Sequence, residues 1–258
     1  LFHGTDLLKL PPSEIRHIRG NKISMIFQDP MTSLNPFLRI STQMIETIQL
    51  HQGLDKKAAK EKAIEMLKFA GIPAPEKRID QYPHQFSGGM RQRVMIAMAL
   101  SCNPEILIAD EPTSALDVTI QAQILELIKE LTRKLGTAVI LITHSLGVVA
   151  GMCDTICVMY AGRIVERGRT EDIFESPKHP YTMGLIRSVP RLDQETKTRL
   201  YSIPGQPPNV IDLPDCCPFY PRCEQAMDIC REKYPSIVSF ENNQSVACWL
   251  YNKEIHNA

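Results

Sequence analysis

The chain has 258 residues, 43% of them apolar and 22% charged, and its 29 Lys and Arg balance 29 Asp and Glu. That length buries a sizeable core without covalent cross-links, and the even charge balance argues against a protein-wide basic field for nucleic acid. No apolar run reaches the ~18 residues of a membrane span, and the opening "LFHGTDLLKL" has no signal-peptide layout.

The first predicted element is a buried strand in "KISMIFQ", residues 22–28, followed by a turn in "DPMTSLNP". Helical spacing runs from about residue 40 to 70, and Gly71 supplies a C-cap. "SGGMRQRVMIAMALSCNP" reads as a glycine-rich turn opening a helix that Pro104 stops. "EILIAD" is an apolar strand ending in acids, and "VTIQAQILELIKELTRKLG" is an amphipathic helix closed by Gly136. "TAVILIT" predicts another buried strand with a helix after it, and "TICVMY" and "RIVERG" predict a last hairpin around Ala161 and Gly162. Strands alternating with helices of this length predict an α/β fold with a mostly parallel sheet. After Pro190 the chain becomes rich in Pro and Cys and loses periodicity, so a boundary is placed at 189/190.

Several stretches carry chemistry. "ILIADEP" ends an apolar strand in Asp110 and Glu111. Ligands of open α/β sheets bind outside the carboxyl ends of strands, where Asp110 is placed to hold Mg²⁺ and Glu111 to orient or deprotonate a water. "FSGGMRQR" sets Ser87, Gly88 and Gly89 at a helix start, whose free N–H groups and positive dipole end suit a phosphate. "SALD" runs from Ser114 to Asp117, "LITHS" ends a strand in His144, and Gln28 in "MIFQDP" offers a neutral oxygen to Mg²⁺ or water. Taken singly, each has a plain alternative: solvated acids, a glycine turn, a structural histidine, a loop amide.

In combination, and in this order and context, these residues resemble the ATP-binding cassette (ABC) ATPases over almost all of residues 1–189. The resemblance implies a P-loop NTPase-like α/β core, an inserted helical subdomain over about 31–103, and a Pro/Cys-rich extension over 190–258. It implies catalytic roles for Glu111 and His144, and ATP and Mg²⁺ binding by Gln28, Ser87, Gly88, Gly89, Asp110 and Asp117. Two departures touch no phosphate-contacting or catalytic type: Met90 stands where many members have Gln, and Ser145 where an acid is usual. "PHQFSGGMRQRVMIAMALSCNP", "IADEPTSALDVTIQAQIL" and "SPKHPYT" (Ser176 to Thr182) look like the D-type ATPase of dipeptide and oligopeptide importers. The implied partners are an F-type ATPase subunit or a second copy, two permease subunits and a periplasmic or extracellular solute-binding protein, with no nucleic acid. The implied place is the cytoplasmic face of the cell membrane, where part of the helical region docks the permeases. Two other classes stand against this one: a soluble cassette ATPase outside transport, and a non-catalytic metal-binding regulatory fragment.

No G-x-x-x-x-G-K-[ST] occurs in the 258 residues. That loop cradles phosphates with backbone N–H groups and a Lys. In the resembled family it precedes the stretch like "LFHGTDLLKLPPSEIRHIRG", so the chain reads as N-terminally truncated. It is expected to be inactive on its own, and its uncovered sheet edge to be prone to association.

The extension holds five of the eight cysteines, Cys216, Cys217, Cys223, Cys230 and Cys248. A cytosolic ATPase disfavours disulfides, and the tight pairs of a zinc ribbon are missing. The spacing alone leaves an iron–sulfur site, a zinc site and no metal all open. Peptide-importer ATPases carry a cysteine motif of this layout resembling a [4Fe–4S] site. The resemblance implies Cys217, Cys223, Cys230 and Cys248 as ligands, with Gly usual where Cys216 stands. Cys102, Cys153 and Cys157 read as small buried hydrophobes.

Overall fold

The computed structural model describes residues 1–29, 33–114, 116–189 and 201–252. Part of the turn expected in "DPMTSLNP", Ala115 of "SALD", and the C-terminal side of the 189/190 boundary lie outside the described residues. The described chain forms two compact units, Leu1–His144 and Ser145–Ala258.

In the first unit, helix α1 (Pro12–Ile18) leads into strand β1 (Ile23–Ile26). Four helices follow: α2 (Ile40–Gln52), α3 (Lys56–Phe69), the single turn α4 (Pro75–Arg78), and α5 (Gly88–Leu100). Strand β2 (Ile106–Asp110), helix α6 (Val118–Leu135) and strand β3 (Ala138–Ile142) complete it. The helical stretch expected between residues 40 and 70 is two helices, because Gly53 ends α2 at φ +65° and the Asp55 carboxylate caps α3 by accepting from Ala58 N–H at 2.8 Å. Ala70 is the C-cap of α3, and Gly71 follows at φ +74°. A Cβ at Gly71 would meet Arg93 Nη1 at 2.9 Å, so glycine answers both the backbone and the crowding there. Arg93 in turn donates to Ala70 O at 3.0 Å and ties α5 to the end of α3.

The apolar faces of these helices meet in one core. Met44, Ile48, Leu67, Ile96 and Leu100 are all fully buried. Burying side chains of this size is the main favourable term in the unit's stability. Asp117 caps α6 by accepting from Ile120 N–H at 3.0 Å, and Gly136 closes it at φ +69°.

The three strands form a parallel sheet in the order β1-β2-β3. The central strand buries Leu107 and Ala109 completely. The expectation of a buried "TAVILIT" strand is corrected here: β3 is an edge strand among the described residues, and Val139, Ile140 and Ile142 are 37%, 52% and 47% exposed. An apolar run marks a strand that can be covered on both faces; it carries no record of whether the neighbouring layer is in place.

The second unit begins with helix α7 (Leu146–Met152) and the antiparallel hairpin β4 (Thr155–Tyr160) and β5 (Arg163–Arg169). Helices α8 (Thr170–Glu175) and α9 (Pro180–Arg187) follow. The region after residue 200, expected without regular structure, contributes the single turn α10 (Ile229–Glu232) and two three-residue strands, β6 (Ile237–Ser239) and β7 (Ser245–Ala247). The expected last hairpin is therefore not last: β7 pairs with β5, giving a four-stranded sheet β4-β5-β7-β6. Ile156, Val158, Tyr160, Val165, Ile173 and Phe219 form its core, so a residue from beyond the expected 189/190 boundary packs among residues that precede it. A register shift between Val158 and Met159 sets Val165 and Glu166 side by side in the interior, with Glu166 1% exposed.

Candidate functional site

The first site lies at the carboxyl ends of the three parallel strands. Gln28 stands two residues past β1, Glu111 one past β2, and His144 two past β3. Because β2 lies between its neighbours, Glu111 falls between the other two. Gln28 Nε2 donates to Glu111 Oε2 at 3.1 Å, and His144 Nδ1 lies 2.9 Å from Glu111 Oε1. A carboxylate oxygen only accepts, so the Nδ1 proton is shared toward it. Gln28 spends its amide nitrogen on Glu111 and so turns its carbonyl oxygen elsewhere.

Glu111 itself has φ +42°, in the left-handed region that a non-glycine residue enters at a cost. Its N–H donates to Ile142 O at 2.9 Å, continuing the ladder to β3, and its carbonyl accepts from Ser114 Oγ at 3.2 Å. These bonds hold the turn that lifts the carboxylate off the strand axis. Asp110 ends β2 and pairs with Ile142 in the sheet. Gln92, 1% exposed, donates to Pro112 O at 2.6 Å, and Gln121 donates to Thr113 O and Leu116 O, both at 3.0 Å. Sequence reading did not single out Gln92 or Gln121. Their signal is a polar side chain at a core-facing helical position, legible only once the neighbouring turn is in place.

Ser87, Gly88 and Gly89 form the start of α5, where Ser87 Oγ accepts from Met90 N–H at 3.4 Å. The amide groups of Gly88 and Gly89 open the helix and have no intrahelical acceptor. A Cβ on Gly88 would meet nothing within 4 Å, whereas one on Gly89 would stand 3.3 Å from Ile120 Cγ2. Gly88 thus keeps the helix start open, and Gly89 admits α6. The hydrogen bonds that join Gln28, Glu111 and His144 do not extend to these three residues, and the Asp117 side chain is engaged at its own helix cap.

A second site lies wholly in the other unit. Cys217, Cys223, Cys230 and Cys248 line one pocket, together with His179, Phe219 and Trp249. Cys216 is not in its lining; it is buried, with its Sγ 4.0 Å from Cys217 O. Cys217 N–H donates to Cys230 O at 3.0 Å, and β7 delivers Cys248. Burial pushes the Cys217 thiol up to about 11, against the backbone N–H of Phe219, with the neighbouring Cys230 and Cys223 adding to the rise. Burial pushes Cys248 up to about 12, opposed by the Leu250 N–H, with Cys217, Cys223 and Cys230 raising it further. Cys223 is raised too, chiefly by burial. Burial also lowers His179 from 6.5 to about 4. Among the described residues, no group of three or more His, Cys, Asp or Glu side chains is arranged to hold a metal ion.

Comparison with known proteins decides the family. The ABC transporter profile matches residues 1–114, and the profile of the oligopeptide/dipeptide transporter C-terminal region matches residues 165–230. The chain is 54% identical over 250 residues to the oligopeptide transport ATP-binding protein OppD of Haemophilus influenzae, which covers 97% of this chain and 77% of that protein. It is equally 54% identical over 258 residues to the dipeptide transport ATP-binding protein DppD of Bacillus subtilis, covering 100% of this chain and 77% of that one. The chain belongs to the ABC transporter ATPases of the oligopeptide and dipeptide importer family.

This cassette therefore has the P-loop NTPase fold and the ATP-hydrolysing chemistry of its family. Among solved structures, the cassette MJ0796, a dimer bound to ADP and Pi, is 31% identical with a TM-score of 0.55, over 63% of this chain and 68% of that one. Among the described residues of the cassette, no helix is long and apolar enough to cross a membrane.

Proposed function

We propose that the protein carrying these 258 residues energises the import of dipeptides, oligopeptides or related solutes, as a peripheral subunit on the cytoplasmic face of the cell membrane. The observation that carries the mechanism is the Glu111 carboxylate, held by Gln28 on one oxygen and His144 on the other. A carboxylate so fixed can align a water and take up its proton as the water attacks a terminal phosphate. The His144 side chain is 77% exposed, open to that phosphate. Asp110 and the carbonyl oxygen of Gln28 are hard oxygen donors and fit Mg²⁺, which would neutralise phosphate charge. Ser87, Gly88 and Gly89 cap the ATP held by a facing cassette, and the turn ending in Asp117 lies at the same dimer seam. The partners are an F-type ATPase subunit or a second copy, two permease subunits and a solute-binding protein outside the membrane.

The boundary at 189/190 separates an ATPase domain, with its helical subdomain over about 31–103, from an accessory extension whose β7 joins the cassette hairpin.

For the extension we infer a [4Fe–4S] cluster on Cys217, Cys223, Cys230 and Cys248; what supports the reading is that the four line one pocket and that thiolates are the ordinary ligands of such a group. Backbone N–H groups of Phe219, Gln225 and Leu250 work against the rise that burial gives the Cys217, Cys223 and Cys248 thiols, without reversing it. Such a group would supply a cross-link between the start and end of the extension and a one-electron centre. Iron and sulfide analysis tests it: Cys216→Ser should keep both, and Cys230→Ser should lose them. The reverse pattern would overturn the ligand set.

A further inference from the structure

Glu111 is held in a backbone conformation that needs support from its surroundings. A φ of +42° persists only where neighbouring bonds over-determine it, and the next residue, Pro112, has no N–H to contribute. The carbonyl is the one backbone polar group of Pro112, and Gln92 Nε2 donates to it at 2.6 Å. Pro112 is buried and Gln92 is 1% exposed, so water is a poor substitute for this bond.

Gln92 stands four residues after Gly88, one turn along α5 from the helix start formed by Ser87, Gly88 and Gly89. At that start, a Cβ on Gly89 would stand 3.3 Å from Ile120 Cγ2, and Ile120 N–H is held by the Asp117 carboxylate. Gln121 of α6 donates to Thr113 O and Leu116 O, each at 3.0 Å. The turn from Glu111 to Asp117 is thus held by α6 along its later part and by Gln92 beside the carboxylate. The next residue of α5, Arg93, donates to Ala70 O at 3.0 Å at the end of α3.

We propose that Gln92 is a positioning residue for Glu111, tying the start of α5, which caps the ATP of a facing cassette, to the turn that aims the catalytic carboxylate. This rests on the mechanism given above, in which Glu111 takes the proton of the attacking water. A hydrogen-bonded helix is stiff over one turn, so a shift of Gly88 and Gly89 as phosphate seats against them carries Gln92, and with it Pro112. Filling of one ATP site then sets the carboxylate that serves another. Gln92 touches neither ATP nor water; it acts through Glu111.

The test is steady-state ATP hydrolysis by the protein, assembled with the partner ATPase and permeases proposed above. The variants are Gln92→Met, Gln92→Glu and Glu111→Gln, with Gln92→Met also placed in the Glu111→Gln background. Methionine keeps the length and approximate volume but donates nothing to Pro112 O. The expected result for Gln92→Met is a kcat about ten- to a hundredfold lower with KM for ATP within about twofold, the pattern of a misplaced catalytic group. In the Glu111→Gln background the same change should cost less than about twofold, because the group it positions is already gone. Gln92→Glu is an independent probe. An ionised carboxylate has no proton to give and a protonated one does, so its turnover relative to the parent should rise as pH falls. Gln92→Met turnover within about twofold of the parent, beside a Glu111→Gln loss of at least about a hundredfold, overturns the proposal and leaves the Glu111 mechanism standing. An equal loss in both backgrounds, a raised KM with unchanged kcat, or a Gln92→Glu ratio flat with pH overturns it equally. Glu111→Gln turnover near that of the parent overturns the mechanism, and this proposal with it.

Discussion

Glu166 is a carboxylate buried to 1% exposure on β5, and removing it should be among the most destabilising single changes in the second unit. It accepts from Lys178 N–H at 2.7 Å, His179 N–H at 2.9 Å and Gln244 Nε2 at 2.8 Å. Gln244 also donates to Ser176 O at 3.1 Å, so one side chain ties β5, the loop before α9 and the turn between β6 and β7. Glu166→Ala strips the acceptor from three interior donors at once. Each buried donor left unsatisfied costs about 1–3 kcal/mol, and the losses overlap because all three share one acceptor. A net loss of about 3–5 kcal/mol follows, a large part of an ordinary domain's stability. Glu166→Gln keeps the shape but turns an amide N–H₂ toward a donor, so its loss should fall between the parent and Glu166→Ala. The chain has one tryptophan, Trp249, 6% exposed and in the same unit, so urea unfolding followed by its fluorescence reads that unit directly. A Glu166→Ala midpoint corresponding to a loss below about 1 kcal/mol, with an unchanged slope, would refute the reasoning.

Other outcomes follow from the pocket's ionisation. The Cys217 and Cys248 thiols have folded values of about 11 and 12 against an ordinary 9, so the unfolded chain ionises first as pH rises. The protein should therefore lose stability progressively from pH 9 to about 12. A urea midpoint flat over that range would count against the burial that raises them. His179 behaves oppositely: with a folded value of about 4 against 6.5, its contribution is present above pH 6.5 and is lost as pH falls toward 4. The loss should be of order 3 kcal/mol at most and should shrink in His179→Asn, as read by Trp249 fluorescence against pH.

The sequence was most legible where a local rule decides the outcome. The strand ending in Asp110 and Glu111, the Asp117 cap and the Gly136 stop of α6 all follow from propensity, capping and pattern. It was least legible where a distant neighbour decides. The exposure of β3 depends on what covers it, which an apolar run does not record. Glu166 faces inward only because the register shifts beside it, and strict alternation would have sent it out. β6 and β7, three residues each, are too short to show a period and exist because β5 offers them an edge. At the site, motif order picked out Gln28, Glu111 and His144, but their common hydrogen-bonded group depends on β2 lying between β1 and β3. The pocket shows the same division. Cysteine spacing left the metal question open, and the place of His179 in that wall was invisible until the chain was folded.

The central claim is that Glu111 activates the water that cleaves ATP. Its most direct test is steady-state ATP hydrolysis by the protein, assembled with the partner ATPase and permeases proposed above, as parent and as Glu111→Gln. General-base catalysis is worth about 10²–10⁴-fold, so the substitution should cut turnover by at least about a hundredfold while ATP still binds. Turnover within about twofold of the parent would contradict the account.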